Sequence, residues 1–279
     1  FAGLTETKDH VVDTDFGQAE IQSGRLAGQA ILFLPRHGMP ARFLPHKINY
    51  RANLKALQIL GASQILAVTA VGTVSEDLNV PCLVVPDQII DYTYGRALTF
   101  FEDEIHHIDF THPYDALFRT QLLAAVAEVA ESHKEMQAVL SGVYGCTQGP
   151  RLETKAEVRR LRNDGCSIVG MTAMPEAALA RELELPYAGI SVTVNPGAGM
   201  ADRDIALAEI HEAMNQGLSW VKLVLADSAS NHQYMDGDHR IPFRDDEAEQ
   251  QLDHIYKWES VERVVSGKIT LEDYNFEKP

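Results

Sequence analysis

Short apolar runs alternate along the chain with segments whose apolar residues recur at helical spacing. Compact apolar runs predict buried strands, whereas apolar positions three and four apart predict amphipathic helices. The predicted strands are Ala30–Leu34, Ile65–Val68, Cys82–Val85, Val139–Tyr144, Ile168–Val169 and Tyr187–Val194. The predicted helices are one with Tyr50, Leu54 and Leu57 on a single face, closed by Gly61, then Ala116–Ala130, Lys155–Arg162, Pro175–Leu183 and Ile205–Leu225.

This alternation is typical of an α/β sandwich whose central sheet is mostly parallel. In such sheets, ligands bind beyond the carboxyl ends of the strands, on the connecting loops. We therefore expect the chemistry of this protein on the loops that follow the predicted strands.

The last part of the chain has a different pattern. From Asn231 onward, acidic residues outnumber basic ones and the apolar residues are scattered. We therefore predict a main domain over residues 1–230 and an acidic C-terminal tail over residues 231–279, whose role stays unknown. A solvated appendage or packing arm is the favoured interpretation of the tail. Its apolar positions Tyr256, Trp258, Val261, Val264 and Val265 suit one short amphipathic helix.

Composition narrows the classes of function. The 279 residues carry a formal net charge of −16, which argues against nucleic-acid binding, because that needs a basic surface. No apolar run is long enough to predict a membrane span, and no basic-then-apolar start predicts export. Cys82, Cys146 and Cys166 lie in apolar contexts without zinc-site spacing. We expect them to be buried, reduced thiols in a cytoplasmic protein.

Three loops after predicted strands carry groups suited to an anion. Arg36 and His37 follow the first strand, and arginine binds oxyanions with two parallel hydrogen bonds. The segment Thr69-Ala70-Val71-Gly72-Thr73 follows a buried strand and offers backbone N–H groups and a hydroxyl as an anion nest. Thr172 follows a third strand, although it also suits a simple helix cap. Each signal is weak when taken alone.

Two further loops carry polar residues after strands. Glu153 precedes a predicted helix, where the helix dipole also favours a carboxylate, and Thr154 is placed to cap that helix. Asn195 follows the most apolar strand, although a turn over Asn195-Pro196-Gly197 explains it equally well. The chain contains no serine-nucleophile, Walker, dinucleotide or metal-binding motif.

Taken together and in order, these loops resemble the trimeric purine nucleoside phosphorylase family, and most closely its methylthio-nucleoside branch. The resemblance covers roughly Gly28 to Leu225 and is carried by Arg36-His37-Gly38, Asn49-Tyr50-Arg51-Ala52-Asn53, Gln148-Gly149-Pro150-Arg151, Gly170-Met171-Thr172 and Pro175-Glu176. It implies a three-layer α/β/α sandwich with a mixed, partly barrelled central sheet, assembled as a homotrimer. It also implies phosphorolysis, with inorganic phosphate as co-substrate and neither a cofactor nor a metal.

The resemblance also implies roles for residues. Phosphate would be bound by Arg36, His37, Thr69, Ala70 and Thr172. The nucleoside would be bound by Leu152 over the base, Met171 against the ribose, Gly72, and His107, which would reach into the neighbouring subunit's site. Glu153 and Asn195 would read the purine and serve catalysis.

The identity of these last two residues favours a 6-oxopurine. The adenine-specific members of the branch carry Asp where Asn195 stands. Asn195 can donate an amide N–H to N7 or O6 of a 6-oxopurine. An ionised Glu153 accepts from the N1–H of hypoxanthine but repels the N1 lone pair of adenine. Mismatched buried polar groups can discriminate by a factor of ~10⁴.

The 5′ group of the nucleoside is less constrained. Ile205, Leu207 and Ile210 suit an apolar wall for a methylthio group, or plain core. We expect 5′-methylthioinosine as the substrate. The alternatives are a methylthioadenosine phosphorylase, a general 6-oxopurine nucleoside phosphorylase, a nucleoside hydrolase and a purine-binding protein without catalysis.

The sequence departs from the family at its start. Family members open with a strand and a Gly-Gly-Ser/Thr-Gly loop that also binds phosphate, and the sequence begins at Phe1 without that loop. Either the loop precedes the given sequence, or the phosphate site is weakened.

Overall fold

A computed structural model describes residues 4–201, 207–230 and 268–272. The strands are β1 (Thr5–Thr14), β2 (Gly17–Leu26), β3 (Gln29–Pro35), β4 (Ile65–Thr73), β5 (Leu83–Val84), β6 (Gln88–Asp91), β7 (Ala138–Val139), β8 (Val143–Cys146), β9 (Ile168–Gly170), β10 (Tyr187–Pro196) and β11 (Lys268–Glu272). The helices are α1 (Tyr50–Ile59), α2 (Ala116–Ser132), α3 (Lys155–Asn163), α4 (Ala173–Glu182) and α5 (Leu207–Ser230), and Pro45–Lys47 form a 3-10 turn.

The strands form one mixed sheet with β4 near its centre. β4 pairs in parallel with β10 and β11 and antiparallel with β9, while β1, β2 and β3 form an antiparallel meander. The expected α/β class with a mixed central sheet is confirmed. Within the described ranges, no helix is long and apolar enough to cross a membrane.

Helices cover both faces of β4, which is why its sequence is almost continuously apolar. Successive residues of a strand point to opposite faces. Ile65 and Ala67 therefore pack in the core cluster that contains residues of α1 and α4, whereas Leu66 and Val68 pack in the cluster that contains residues of α2 and α5. The two clusters are the two interfaces of a three-layer sandwich.

One predicted strand is wrong. The run Val139–Tyr144 is divided between β7 and β8, which pair with different neighbours, β5 and β6 respectively. Gly142 lies in the break with φ +153°, a conformation that residues with a Cβ rarely adopt. The glycine therefore separates two strands where the apolar run suggested one.

The C-terminal strand β11 lies inside the sheet. It pairs in parallel with β3 along Ile31–Pro35 and with β4 along Ile65–Ala67. Five residues of the predicted 231–279 tail thus join the sheet of the predicted main domain. The predicted helix over Tyr256–Val265 falls outside the described residues.

Candidate active site

A notch interrupts one edge of β4. On that edge β4 pairs with β11 as far as Ala67 and with β9 from Gly72 onward. Among the described residues, Val68–Val71 therefore has no strand partner on that edge, and we call this stretch the β4 notch. Arg36 directly follows β3 and its Nη1 donates to the carbonyl oxygen of Val68 at 3.0 Å. The notch thus holds the guanidinium that the sequence assigned to phosphate.

The prediction that Thr69–Thr73 form a loop after the strand, with backbone N–H groups open to an anion, is wrong. These residues are the second half of β4, and their other edge pairs with β10 from Ser191 to Pro196. A paired strand uses its N–H groups in the ladder, so only groups that face the notch are open to a ligand. The hydroxyl of Thr69 lies 2.8 Å from that of Ser191, and both side chains are buried.

Thr172 reaches the same notch from β9. β9 pairs antiparallel with β4, with Val169 opposite Gly72, and continuing this register places Thr172 opposite Thr69. A Cβ on Gly170 would lie 3.1 Å from Cγ1 of Val71, so the two chains stay close beyond the last paired residues. Although Thr172 stands at the start of α4, its side chain makes no capping hydrogen bond. The cap alternative is therefore wrong.

Glu176 fixes the orientation of Arg36. Its carboxylate accepts from Nε of Arg36 at 3.0 Å and from Nη2 at 2.9 Å, and both side chains are buried. Tyr187 donates a third hydrogen bond to Glu176 at 2.9 Å. Burial raises the pKa of Tyr187 well above its ordinary value, so its hydroxyl keeps the proton that it donates. Glu176 was named from the sequence only as part of the family resemblance, and its pairing with Arg36 was not predicted.

His37 is also held by its own loop. Its Nδ1 lies 2.6 Å from the carbonyl oxygen of Phe43, which can only accept, so Nδ1 carries a hydrogen. The ring is buried next to Arg36 in sequence. The structure therefore places Arg36, Thr69 and Ala70 at the β4 notch, with His37 next to Arg36 in sequence and Thr172 two residues beyond β9, which pairs with β4.

A bulge in β10 presents Asn195. Thr193 pairs with Val71 but Asn195 pairs with Gly72, so Val194 is an extra residue on β10. Bulges re-aim side chains at sheet ends and beside active sites. The amide nitrogen of Asn195 donates to the carbonyl oxygen of Pro196 at 2.8 Å, which uses one of its two N–H groups. A Cβ on Gly72 would lie 3.2 Å from that nitrogen, so the predicted residue Gly72 provides the space for the amide.

Glu153 is held by the loop that precedes α3. Its Oε1 accepts from the hydroxyl of Thr147 at 2.6 Å. Thr154 caps α3 as predicted and forms a reciprocal capping box with Glu157. The carboxylate of Glu153 thus stands between a rigid helix start and a hydroxyl that orients it. Sequence reasoning missed Thr147, although its place at the end of β8 could have suggested it.

The loop after β10 packs against the start of α3. A Cβ on Gly197 would lie 3.0 Å from Cγ1 of Val158, and one on Gly199 would lie 2.7 Å from Cγ of Lys155. These glycines stand two and four residues after Asn195, and Lys155 stands two residues after Glu153. The structure therefore brings the loops of both predicted purine readers together.

The remaining predicted nucleoside residues differ in exposure. Met171 contacts the loop of residues 147–154, which carries Glu153 and which we call the base loop, since a Cβ on Gly149 would lie 2.5 Å from Sδ of Met171. Leu152 is half exposed beside Glu153 and is open to a ligand. His107 is exposed on the loop after β6, one residue after His106, whose ring packs on Phe101. The assignment of His107 to a neighbouring subunit stays a prediction.

A cleft of about 220 Å³ opens beside the base loop. It is lined by Tyr92, Tyr94, Thr147, Gln148, Gly149, Arg151, Glu153, Glu157, Arg160 and Leu161. The cleft includes Glu153 but neither Asn195 nor any residue of the β4 notch, so it does not by itself mark out the predicted site. The site is defined by the strand registers and loop contacts instead.

In the described part of the chain, no group of three potential metal ligands comes together. None of the three cysteines forms a disulfide, and all three are buried, as expected. Burial raises the pKa of the Cys82 thiol to about 12, so it behaves as a small apolar residue.

Comparison with known proteins places this geometry in context. Residues 3–253 match the model of the phosphorylase superfamily. A probable S-methyl-5′-thioinosine phosphorylase of Pseudomonas syringae pv. tomato is 48% identical over 229 residues, which cover 80% of this chain and 91% of that protein. A probable 6-oxopurine nucleoside phosphorylase of Thermococcus kodakarensis is 38% identical over 250 residues, 87% of this chain and 91% of that one.

The same fold occurs in solved structures. A methylthioadenosine phosphorylase from an antarctic soil metagenomic library superposes with a TM-score of 0.77 at 30% identity. The match covers 83% of this chain and 81% of that chain.

Proposed function

Since this chain belongs to the phosphorylase superfamily, we propose that it is a pentosyltransferase that splits 5′-methylthioinosine with phosphate into hypoxanthine and 5-methylthioribose 1-phosphate. The names of relatives at 46–50% identity support this substrate. The observation that carries the proposal is the placement of Glu153, just before α3, and Asn195, at the bulged end of β10, because the loop that follows β10 packs against the start of α3.

Phosphate occupies the β4 notch in this proposal. Arg36 provides a charged donor there, and Thr172 follows β9 on the side where the register with β4 runs toward Thr69. Two guanidinium nitrogens of Arg36 are already engaged by Glu176, so the pair adds little net charge. The phosphate dianion therefore depends on hydroxyl and backbone donors as well as on Arg36. Ala70 contributes through its backbone, because its side chain carries no donor.

The reaction breaks the C1′–N9 bond as phosphate oxygen bonds to C1′. The sugar passes through an oxocarbenium-like state that the bound dianion stabilises and then captures. The purine leaves with negative charge, and donors already aimed at that charge lower the barrier. The second N–H of Asn195 is the donor to N7 or O6, because the first is bound to the carbonyl oxygen of Pro196.

Glu153 gives the site its preference for a 6-oxopurine. Thr147 occupies Oε1, which leaves Oε2 to accept from the N1–H of hypoxanthine. Adenine has a lone pair at N1 and would meet an ionised carboxylate without a hydrogen between them. A carboxylate that faces the N1 lone pair without a hydrogen between them disfavours adenine.

The preference for a 5′-methylthio group over a 5′-hydroxyl has a different kind of support. Ile210 is buried in the core cluster with α2 and β10 residues, so the core alternative holds for it, and Ile205 lies outside the described residues. The methylthio preference is therefore supported by the names of the relatives. A second candidate, a general 6-oxopurine nucleoside phosphorylase, is supported by the relative from Thermococcus kodakarensis.

Assembly and location belong to the same proposal. We expect a homotrimer in which His107 completes the neighbouring site, which light scattering coupled to size-exclusion chromatography tests. The three buried cysteines, which form no disulfide, support the cytoplasmic location.

One assay separates the candidates. The purified protein is incubated with phosphate and 5′-methylthioinosine, inosine, guanosine or 5′-methylthioadenosine, and base release is followed by ultraviolet absorbance. We expect the highest kcat/KM with 5′-methylthioinosine and no release without phosphate. A higher kcat/KM with 5′-methylthioadenosine would refute the 6-oxopurine assignment. Undiminished release in phosphate-free buffer would indicate a hydrolase, and thermal stabilisation by hypoxanthine without turnover would indicate a binding protein.

A further inference from the structure

Arg96 joins two loops of the candidate site. It lies in the connection between β6 and α2, and only 9% of it is exposed. Its guanidinium contacts the backbone carbonyl oxygens of Thr147 (3.3 Å), Gln148 (2.9 Å), Met171 (2.8 Å) and Met174 (2.5 Å), the side-chain oxygen of Gln148 (3.2 Å) and the hydroxyl of Tyr50 (3.3 Å).

The partners of Arg96 are neutral. Within the described ranges, no carboxylate forms an ion pair with Arg96, in contrast to Arg36 and its partner Glu176. A buried cation without a counter-ion is tolerated only when its donors are hydrogen-bonded. The five N–H groups of Arg96 meet six acceptors, and Tyr50 accepts because its own hydrogen goes to the carbonyl oxygen of Pro45. The guanidinium of Arg96 therefore binds mainly backbone carbonyl oxygens.

The two loops held by Arg96 serve different halves of the reaction. The carbonyl oxygens of Thr147 and Gln148 belong to the loop that carries Glu153. The carbonyl oxygen of Met171 directly precedes Thr172, at the β4 notch. A direct backbone bond from Thr147 N–H to the carbonyl oxygen of Gly170, at 2.8 Å, joins the same loops. Arg96 thus links the loop that carries the proposed purine reader Glu153 to the segment that precedes the proposed phosphate residue Thr172.

We infer that Arg96 is a positioning residue that sets the spacing between the purine reader Glu153 and the phosphate site at Thr172. This inference rests on the proposed function. Attack at C1′ requires the base and the phosphate to be held in one relative geometry, and a misplacement of about 1 Å costs ~10²-fold in rate. Lysine cannot replace Arg96, because three donors on one nitrogen cannot span six acceptors on two loops.

The test compares Arg96→Lys with a matched control, Arg119→Lys. Arg119 also donates to backbone carbonyl oxygens, those of Val85, Pro86 and Leu140, but it does so beside the β5–β7 edge of the sheet. For each folded variant, kcat and both KM values are measured with 5′-methylthioinosine and phosphate well below the Tm. We expect kcat to fall ~10²-fold for Arg96→Lys, with both KM values changed by less than about threefold. Arg119→Lys is expected to lower the Tm and to keep the wild-type kcat.

Two further variants keep the inference falsifiable if Arg96→Lys does not fold. Gln148→Met removes one of the six acceptors of Arg96, an oxygen that also accepts from the backbone N–H of Tyr94, and is expected to lower kcat in the same direction by a smaller factor. Arg96→Ala is expected to regain kcat when guanidinium is added, whereas Arg119→Ala is expected to show no such gain.

The outcomes separate this inference from the proposed function. A wild-type protein without phosphorolysis overturns the proposed function and, with it, the role of Arg96. An active wild type whose Arg96→Lys variant keeps full kcat, or whose Gln148→Met variant does when the lysine variant is unfolded, overturns the positioning role alone. So does a loss of kcat of equal size in Arg119→Lys.

Discussion

The carboxylate of Glu176 holds Nε and Nη2 of Arg36 at 3.0 and 2.9 Å, with the two side chains 0% and 1% exposed. This buried pair connects α4 to the residue that follows β3, and it leaves Nη1 of Arg36 to face the β4 notch. The orientation of Arg36, the charged residue proposed to bind phosphate, therefore depends on Glu176, which is not expected to contact phosphate.

Replacing Glu176 with Gln should strongly destabilise the protein. Breaking one partner of a buried ion pair costs about 3–5 kcal/mol, because the remaining charge stays buried without compensation. Urea unfolding measures the free energy of unfolding, and the KM for phosphate should rise in the folded fraction. Glu20→Gln is the matched control, since the Glu20–Arg42 pair is 51% and 43% exposed and should contribute at most about 1 kcal/mol. Equal effects of the two substitutions would contradict this account.

Thr147→Val should weaken the reading of 6-oxopurines. The substitution keeps the shape of the side chain but removes the hydroxyl that orients Glu153 at 2.6 Å. A hydrogen bond to a charged group contributes about 1.5–3 kcal/mol, so kcat/KM for 5′-methylthioinosine should fall roughly 10- to 150-fold. Thr111→Val removes a similar bond to the carboxylate of Asp109 on the exposed surface, and its kinetics should match the wild type. A Thr147→Val protein with unchanged kcat/KM would show that Glu153 needs no such support.

Acid should weaken the start of α3 through Glu157. The bond from the Arg151 guanidinium, followed by the backbone N–H of Thr154, lowers the pKa of Glu157 from 4.5 to about 2. Because the folded-state pKa is the lower one, this contribution to stability is present above about pH 4.5 and is lost as the pH falls toward 2. The Tm of the wild type should therefore drop more steeply over that window than the Tm of Glu157→Gln. The difference should be small, since Arg151 and Glu157 are 67% and 43% exposed. Parallel Tm curves would count against the pairing.

The sequence predicted those strands whose burial requires apolar residues on both faces. It missed the second half of β4, because Thr69, Ala70 and Gly72 occupy that stretch without an apolar signature. It also missed the hairpin of β1 and β2, whose strands are largely exposed and so need no apolar alternation.

Site residues could be predicted from the sequence where the residue type has a local structural role at the end of a strand or the start of a helix. Thr154 caps α3 as predicted, Glu153 directly precedes that cap, and Asn195 lies at the end of β10, within the strand rather than after it. The pairing of Arg36 with Glu176 was not predictable, because 140 residues separate them and only the packing of α4 against the sheet brings them together. The contacts of Arg96 depend in the same way on two loops whose proximity is set by the register of β4, β8 and β9.

The most direct test of the central claim is the ratio of kcat/KM for 5′-methylthioinosine to that for 5′-methylthioadenosine, measured in the wild type and in Asn195→Asp. The wild type should favour the 6-oxopurine by a large factor, on the order of 10⁴. Asn195→Asp should shift the ratio at least about tenfold toward the 6-aminopurine, because a protonated Asp donates to N7 while its other oxygen accepts from the amino group. Asn49→Asp, at the N-cap of α1, should leave the ratio unchanged. An unchanged ratio in Asn195→Asp would contradict the assignment of Asn195 as a purine reader.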